Sequence, residues 1–363
     1  MPDAAERDRT CAFPAGLVRR LAELELMGIS VPEAYGGLGL DTATQLVAIE
    51  EVAYGDAALA SVYTAHYLGL EPFVLYGTDE QKRRYLTPLA RGEALAGFAL
   101  TEPDAGSDIA SLRSTAHRDG DGWVLDGSKV FISNAREADV LVIFAKTDPH
   151  AGLRGISAFA LPTDARGLGF SEPQDKSGIR SSPTYEVRLD GVRLPADALI
   201  GPEGEGGKGA LAVLNRARID IAAMANGIAM RALQLAADYA AERHQFGRPI
   251  RDFQAIQLQL AEMDILVELG RLAAYRAADL KDAGADIRRA ASIAKYAATE
   301  NCFACVDRAL QIHGGYGYMR ESEIERLYRD CRILRIYEGT SQVQLLALAR
   351  LLERARDERG DIV

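Results

Sequence analysis

The segment "RIYEGTSQVQ", residues 335–344, sets one carboxylate, Glu338, between Tyr337 and Gly339, where an apolar stretch stops and a helical pattern starts. A carboxylate there can serve as a general base if its surroundings exclude water, because burial raises its pKa toward the working pH. The segment also has a purely structural reading. Ser341 followed by Gln344 is a capping box for a helix over residues 341–356, and Glu338 then only sits near a helix N-terminus, whose partial positive charge favours an anion.

Three further stretches combine glycines with hydroxyl, amide or cationic side chains. In "FALTEPDAGSD", residues 98–108, a β-like run ends at Thr101, turns at Pro103 and Gly106 and presents Ser107. Such a loop offers N–H groups and hydroxyls to a polar ligand, or is simply a capped turn. In "ERHQFGRPI", residues 242–250, a long helical pattern stops at Gly247 with Arg243 and Phe246 beside it. Arginine with an aromatic neighbour suits a diphosphate and a flat ring, although a helix C-terminus also favours cations. In "QIHGGYGYMRESEIERLYRD", residues 311–330, Gln311 precedes three glycines that let a ligand approach the backbone. A fourth glycine run is a decoy. "GEGGKG", Gly204 to Gly209, spells G-x-G-x-x-G, but no further strand follows at βαβ spacing to carry a ribose-binding acid. It reads as a hinge, and a nicotinamide-binding Rossmann domain is not expected.

The elements that must position these residues fall into three blocks. Residues 1–95 carry helical periodicity, in "LVRRLAELELMGI" and again in "ATQLVAIEEVAYGDAALASVYTAHYLGL". Residues 96–200 change to short β-rich runs, "WVLDG", "KVFIS", "DVLVIFAK", "GISAFALP" and "TYEVRLDGVRLP", with Asp-Gly and Gly-rich segments expected to be the turns between them. Residues 201–363 return to long helices, expected near 210–242, 253–282, 288–312 and 341–356. The fold class is α+β, mainly α.

Composition narrows the function classes. The chain has 363 residues, 48% of them hydrophobic, and 52 acidic against 42 basic side chains. Basic clusters such as Lys82 to Arg84 are short, whereas nucleic-acid binding wants a basic patch or stripe, so no nucleic-acid partner is expected. The start, "MPDAAERDRTCAFP", lacks a basic head followed by an apolar stretch, and no stretch reads as a membrane span. A cytoplasmic protein without a membrane partner is expected. Cys302 and Cys305 form a CxxC within a helical pattern, without a second pair or a histidine nearby, so buried reduced thiols are expected and no metal.

The ALTEPDAGSD and QIHGGYGY stretches, the RHQFG segment and IYEGTSQ occur in the order and spacing that resemble the acyl-CoA dehydrogenase family, over residues 13–356. Glu321, Arg326 and Asp330 fall at the expected offsets. The resemblance implies a helical N-domain, a central β-barrel-like domain and a C-terminal four-helix bundle, assembled as a homotetramer (or homodimer) with one FAD per chain. It implies that Thr101 bonds the flavin ring, with Phe131 and Ser133 over one face where many members carry Trp and Thr. Arg243 and Phe246, with Gln311 and Gly315, would hold the FAD diphosphate and adenosine across a subunit interface, completed by Thr340 and Gln342. Ser107 and Arg218 would line the pantetheine path, and Ser61, Thr64, Ala65 and Leu68 the acyl tail. Glu338 would be the base, and its N–H, beside Gly339, would polarise the thioester carbonyl together with a flavin hydroxyl. An alternative base position, in "NRAR", holds Ala217, and Asn215 stands where many members have Asp. The usual first helix is expected to be missing or clipped. The implied reaction is α,β-dehydrogenation of an acyl-CoA or acyl-carrier-protein thioester, with electrons passed to an electron-transferring flavoprotein. An oxidase using oxygen and a non-catalytic flavin or acyl-CoA binding protein are the alternatives.

Overall fold

The computed structural model describes residues 3–359. The N-terminal helices are α1 (Ala4–Thr10), α2 (Ala15–Glu23), α3 (Thr42–Gly55) and α4 (Ala57–Tyr76), followed by the short α5 (Asp79–Gln81) and α6 (Thr87–Ala90). The seven-residue α1 precedes the first helix read from the sequence. It is held there by ion pairs: Arg7 reaches Asp56 at 2.5 Å, and Asp8 receives Nη1 and Nη2 of Arg329 at 3.0 and 2.7 Å. Asp56 also caps α4, accepting from Ala58 N–H at 2.9 Å and Leu59 N–H at 3.2 Å. Helix α4 is buried on nearly every face from Ala57 to Phe73, as expected of a helix that is apolar all round.

The middle domain is a sheet of β1 (Ala96–Ala99), β2 (Thr115–Asp119), β3 (Gly122–Ser133), β4 (Val140–Lys146), β5 (Ile156–Pro162), β6 (Leu168–Phe170), β7 (Thr184–Leu194) and β8 (Leu199–Ile200). Its order is β6-β7-β3-β2-β4-β5-β8, with β1 pairing parallel to β4. The barrel-like expectation is corrected here: the path is open, and its end strands β6 and β8 are three and two residues long, too short to pair across a closing seam. Of the expected Asp-Gly turns, the Asp119-Gly120-Asp121-Gly122 segment forms the tight hairpin between β2 and β3, with Asp119 opposite Gly122. Two others are corrected: Asp126-Gly127 and Asp190-Gly191 lie inside β3 and β7, where the ladder shifts register between Leu125 and Gly127.

The C-terminal bundle comprises α7 (Gly206–Glu242), α8 (Gln254–Asp282), α9 (Arg288–His313) and α11 (Ser341–Arg359), with the short α10 (Glu323–Cys331) between the last two. Helix α7 starts directly at Gly206, so the glycine run before it joins sheet to bundle and forms no nucleotide loop. Residues 217–229 of α7 are buried without a break. At Gly227 a Cβ would lie 2.2 Å from the Glu50 carbonyl oxygen, so only glycine lets α7 and α3 pack backbone to backbone. Glu50 in turn accepts from Asn226, Arg271 and Tyr275 at 3.2, 3.3 and 3.0 Å, joining α3, α7 and α8. Cys302, Cys305 and Cys331 are buried free thiols, and no metal-binding group occurs among the described residues. No described helix is long and apolar enough to cross a membrane.

Asp56→Ala removes the α4 cap and the partner of Arg7 together, whereas Asp56→Asn removes the charge but keeps a capping oxygen. A cap alone is worth about 1 kcal/mol, so Asp56→Ala should unfold at lower denaturant than Asp56→Asn; equal midpoints would show that the capping oxygen contributes nothing.

Candidate active site

The turn that carries Glu338 is held on every side. Glu338 and Gly339 both have left-handed backbone, φ 51° and 90°, and a Cβ at Gly339 would sit 2.6 Å from Gln344 Nε2. Gln344 Nε2 donates to the Gly339 carbonyl at 2.9 Å and to the Glu338 carbonyl at 3.3 Å. Lys295 Nζ, on α9, donates to the same Gly339 oxygen at 2.8 Å, and Arg218 Nε, on α7, approaches the Glu338 carbonyl at 3.4 Å. Below the turn, Glu300 takes Ser341 Oγ at 2.5 Å and Arg335 at 2.6 Å. The capping box is corrected by one residue: Thr340 Oγ1 accepts from Val343 N–H at 3.2 Å, leaving Ser341 and Gln344 free to anchor the turn. The cap is therefore real, but Glu338 has no part in it.

The Glu338 carboxyl is left chemically uncommitted. Its Oε2 is shut off from solvent and has no hydrogen-bond partner. Burial, reinforced by the Asp220 carboxylate, pushes its pKa up to about 8, while the charges of Lys295 and Arg218 pull the other way. Asp220, buried one turn along α7, is itself raised to about 7 by burial and accepts from Gln45 Nε2 at 2.9 Å. Asp220, Ala217 and Leu68 line a cavity of about 10 Å³ with Gln45, Tyr67 and Glu71, room for roughly one water. At the alternative base position the structure places only the buried methyl of Ala217.

Thr101, Phe131 and Ser133 come together at the sheet end. The Thr101 carbonyl accepts from Val130 N–H at 2.9 Å, and the loop behind it folds back as a pair of bonds between Glu102 and Ala105 at 3.1 Å each. An ion pair fixes this loop: Lys129, fully buried, gives Nζ to Glu102 Oε1 at 2.7 Å and to the Leu100 carbonyl at 3.1 Å. Burial takes the Lys129 amine down to about 8 against the pull of Glu102. Phe131, 67% exposed and held at φ 60°, presents a ring to open space. At the next residue but two, Asn134 Nδ2 donates to the Val62 carbonyl of α4 at 3.0 Å. Helix α4 thus abuts this strand end, and Ser61 is joined to Ser182 Oγ at 3.1 Å while Thr64 Oγ1 donates to the Ser61 carbonyl at 3.3 Å. Ser107 is exposed at the loop tip.

Arg218 is 8% exposed, gives Nη1 to Asn215 Oδ1 at 2.6 Å and braces the Glu338 turn through Nε. Arg243, Phe246, Gln311 and Gly315 form a second group. Arg243 lies over the Tyr316 ring at 5.6 Å, Phe246 is 93% exposed at φ 51° on a two-residue turn, and a Cβ on Gly315 would meet nothing within 4 Å. Arg243 follows Arg218 by the rest of α7, about 36 Å at 1.5 Å per residue, so these residues do not join the Glu338 site of their own chain. Gln342 is exposed and Leu68 half-buried.

Sequence reasoning missed Lys295, Asp220, Asn134 and the Lys129–Glu102 pair. A signal existed for the first: Ser292, Lys295, Thr299 and Cys302 fall at helical spacing on one face of α9, and all are buried, so a lysine was placed in an apolar stripe.

The fold combines an N-terminal helical domain, a middle sheet domain and a C-terminal helical domain, and it carries a carboxyl oxygen buried without a partner and an aromatic ring standing in the open. The chain belongs to the acyl-CoA dehydrogenase family: the family's N-terminal domain matches residues 1–93, its middle domain residues 97–192 and its C-terminal domain residues 204–353. It is 42% identical to 3-(aryl)acrylate reductase of Clostridium sporogenes over 96% of this chain and 93% of that one. It is 44% identical to the mitochondrial short-chain specific acyl-CoA dehydrogenase of Bos taurus, over 96% of this chain and 85% of that one. A chain in the solved structure described as "Electron transferring flavoprotein of Acidaminococcus fermentans: Towards a mechanism of flavin-based electron bifurcation" superposes with a TM-score of 0.96 and 41% identity, covering 97% of this chain and 93% of that one. The protein is an acyl-CoA dehydrogenase-type oxidoreductase.

Replacing Glu102 by Ala leaves the Lys129 ammonium buried and unpaired. Breaking a buried pair typically costs about 3–5 kcal/mol, so chemical denaturation should show a loss of that order, partly restored in the double variant Glu102→Ala/Lys129→Met; a loss under 1 kcal/mol would mean the loop does not depend on the pair.

Proposed function

We propose that the protein dehydrogenates a short acyl-CoA to its trans-2-enoyl thioester, using FAD and Glu338 as the base. The observation that carries this reading is the Glu338 carboxyl: Oε2 dry, unpartnered and raised to about 8. The residues present fit a flavin, because the Phe131 ring stands two-thirds exposed at a strained φ beside Ser133 and the Thr101 loop, an arrangement with no packing value of its own. Thr101, Phe131 and Ser133 would hold the ring system. Arg243, Phe246, Gln311 and Gly315, some 36 Å away along α7, would serve the diphosphate and adenosine of a neighbour's FAD, with Thr340 and Gln342 on the receiving side. Assembly as a homotetramer or homodimer follows from that split. When bound, FAD supplies the acceptor for a hydride.

The chain's own part is positional and acid–base. Glu338 N–H, aimed by the braced turn, would donate to the thioester carbonyl and so acidify the α C–H. The carboxylate then takes the α proton as the β hydride leaves, and the surrounding burial keeps water from competing. Ser61, Thr64 and Leu68 on α4 would wall the acyl tail, and Ser107 the carrier's entry. A cavity of about 610 Å³ between Tyr76, Phe144, Ala158, Ile200 and Val213 gives a flexible carrier arm an apolar route along α4 and α7. Similarity to a chain in the electron-transferring flavoprotein structure supports such a flavoprotein as acceptor. A second reading has its own support. The 3-(aryl)acrylate reductase relative and a base protonated below about pH 8 suit the reverse step, in which Glu338 delivers a proton to the α carbon of an enoyl group.

Glu338→Gln keeps the N–H and the shape but removes the proton acceptor. Anaerobic flavin reduction by butyryl-CoA should fall about 10²- to 10⁴-fold while ligand-induced shifts of the flavin spectrum persist. In the wild type the rate should climb as pH rises toward about 8, where Glu338 loses its proton. Flavin bleaching at the wild-type rate in the variant would remove Glu338 from the mechanism.

Helix α4 carries no arginine or lysine, so a terminal carboxylate on the acyl tail would be buried without a partner there, at a cost of several kcal/mol. Butyryl-CoA should therefore exceed glutaryl-CoA at least 100-fold in kcat/KM, and comparable values would show that a cation reaches the pocket from elsewhere.

A further inference from the structure

Lys295 is 0% exposed, in the middle of α9, and its ammonium makes one hydrogen bond, to the Gly339 carbonyl at 2.8 Å. Burying an amine is costly, and its neighbours on the buried face of α9, among them Ala291, Ser292, Ala298 and Thr299, supply no carboxylate to pair with it. The bond falls at a turn where two consecutive residues, Glu338 and Gly339, hold left-handed backbone just before α11. Gln344 Nε2 reaches the same oxygen at 2.9 Å, so the Gly339 carbonyl is pulled by two donors from two helices. Rotation of the Gly339–Thr340 peptide would swing that carbonyl away from both. The preceding carbonyl, of Glu338, is held by Gln344 and Arg218, so both peptides on the C-terminal side of Glu338 are fixed and the turn that presents its N–H and carboxyl keeps one shape.

We propose that Lys295 is a positioning residue for the dehydrogenation: its hydrogen bond to Gly339 holds the turn from which the Glu338 N–H and carboxyl are presented to the thioester. Its charge, on an amine that burial itself takes down to about 8, favours the ionised form of the neighbouring Glu338 carboxyl. This rests on the reading of Glu338 as base and carbonyl donor. The other charged groups facing Glu338 are Arg218 and Asp220 from α7, and Glu300 faces Lys295 from its own helix. Arg218 acts in the same sense as Lys295, whereas Asp220 opposes both. The hydrogen bond and the charge can be separated. A glutamine at 295 keeps a neutral donor for Gly339, and a methionine keeps only the volume.

The test compares Lys295→Met and Lys295→Gln holoenzymes using 3-(2-furyl)acryloyl-CoA, whose absorbance moves to the red when its carbonyl is polarised, and flavin reduction by butyryl-CoA across pH. Lys295→Met should lose most of the red shift and lower kcat at least 10-fold with KM changed less than 3-fold. Lys295→Gln should keep the red shift yet move the acidic limb of the rate profile to higher pH, because the cation that favours ionised Glu338 is gone. A wild-type shift and rate in Lys295→Met would overturn the proposal, as would an equal loss of shift in both variants. Should Lys295→Met fail to fold, Lys295→Gln still decides, since an unmoved pH limb there refutes the role of the charge. A wild-type enzyme that reduces its flavin with butyryl-CoA while both variants match it would sink Lys295 and leave Glu338 standing; a wild-type that does not bleach at all would sink the reading beneath it.

Discussion

One constraint shapes the turn at Glu338: a carboxyl oxygen is shut off from solvent without a hydrogen-bond partner, while charged groups nearby act on its ionisation. A dry carboxylate with no compensating charge simply stays protonated, and one with a direct cationic partner is no longer a base. The chain answers by bonding the backbone around Glu338 and leaving the side chain alone. Donors from Lys295, Gln344 and Arg218 converge on two carbonyls, not on the carboxyl. The charges of Lys295 and Arg218 act from a distance, partly cancelled by Asp220, without occupying Oε2.

That arrangement needs elements brought from far apart in the chain, and α7 is the spine that does it. Its midsection packs against α3, α4 and α9, its first turns meet the sheet, and its last turn carries Arg243 to a remote surface. The close approach at Gly227 draws α3 in, and α7 itself packs on α4 and, through Arg218, reaches the Glu338 turn. The β domain is attached through Asn134 to α4 and through Ile179 N–H to Asp330 of α10 at 2.5 Å. The strand end that carries Phe131 is therefore fixed relative to the helices by buried polar contacts and not by loop packing alone.

Much of this was legible in the sequence, and what was not has identifiable causes. Helix periods located the four bundle helices to within a few residues, because long amphipathic or fully apolar patterns are strong signals. The three-residue strand β6 was not separated from its surroundings, since its neighbour in space, β7, determines it. Two Asp-Gly pairs looked like turns but sit in long strands, where a register shift accommodates the glycine. The glutamate at 338 could be picked out from its flanking residues, yet its counter-ions could not. Lys295 and Asp220 come from helices whose local patterns say only that they are buried or half-buried, and which buried group faces which is decided by tertiary packing. The capping box failed by one residue for a related reason: Ser341 and Gln344 had better partners in Glu300 and Gly339 than in each other.

The ion pairs that hold α1 have a consequence for how the chain is made. Arg329 grips Asp8 through two bonds across 321 residues of sequence, and Thr42 N–H and Oγ1 reach Asp282 at 2.8 and 2.5 Å. The N-terminal helices therefore lack their final neighbours until nearly the whole polypeptide has left the ribosome, which at about 5–20 residues per second takes tens of seconds. During that interval α4, apolar on almost every side, has no completed bundle to cover it. Synthesis of this protein thus contains a period of exposed hydrophobic helix that chaperone binding can protect and slow translation can lengthen.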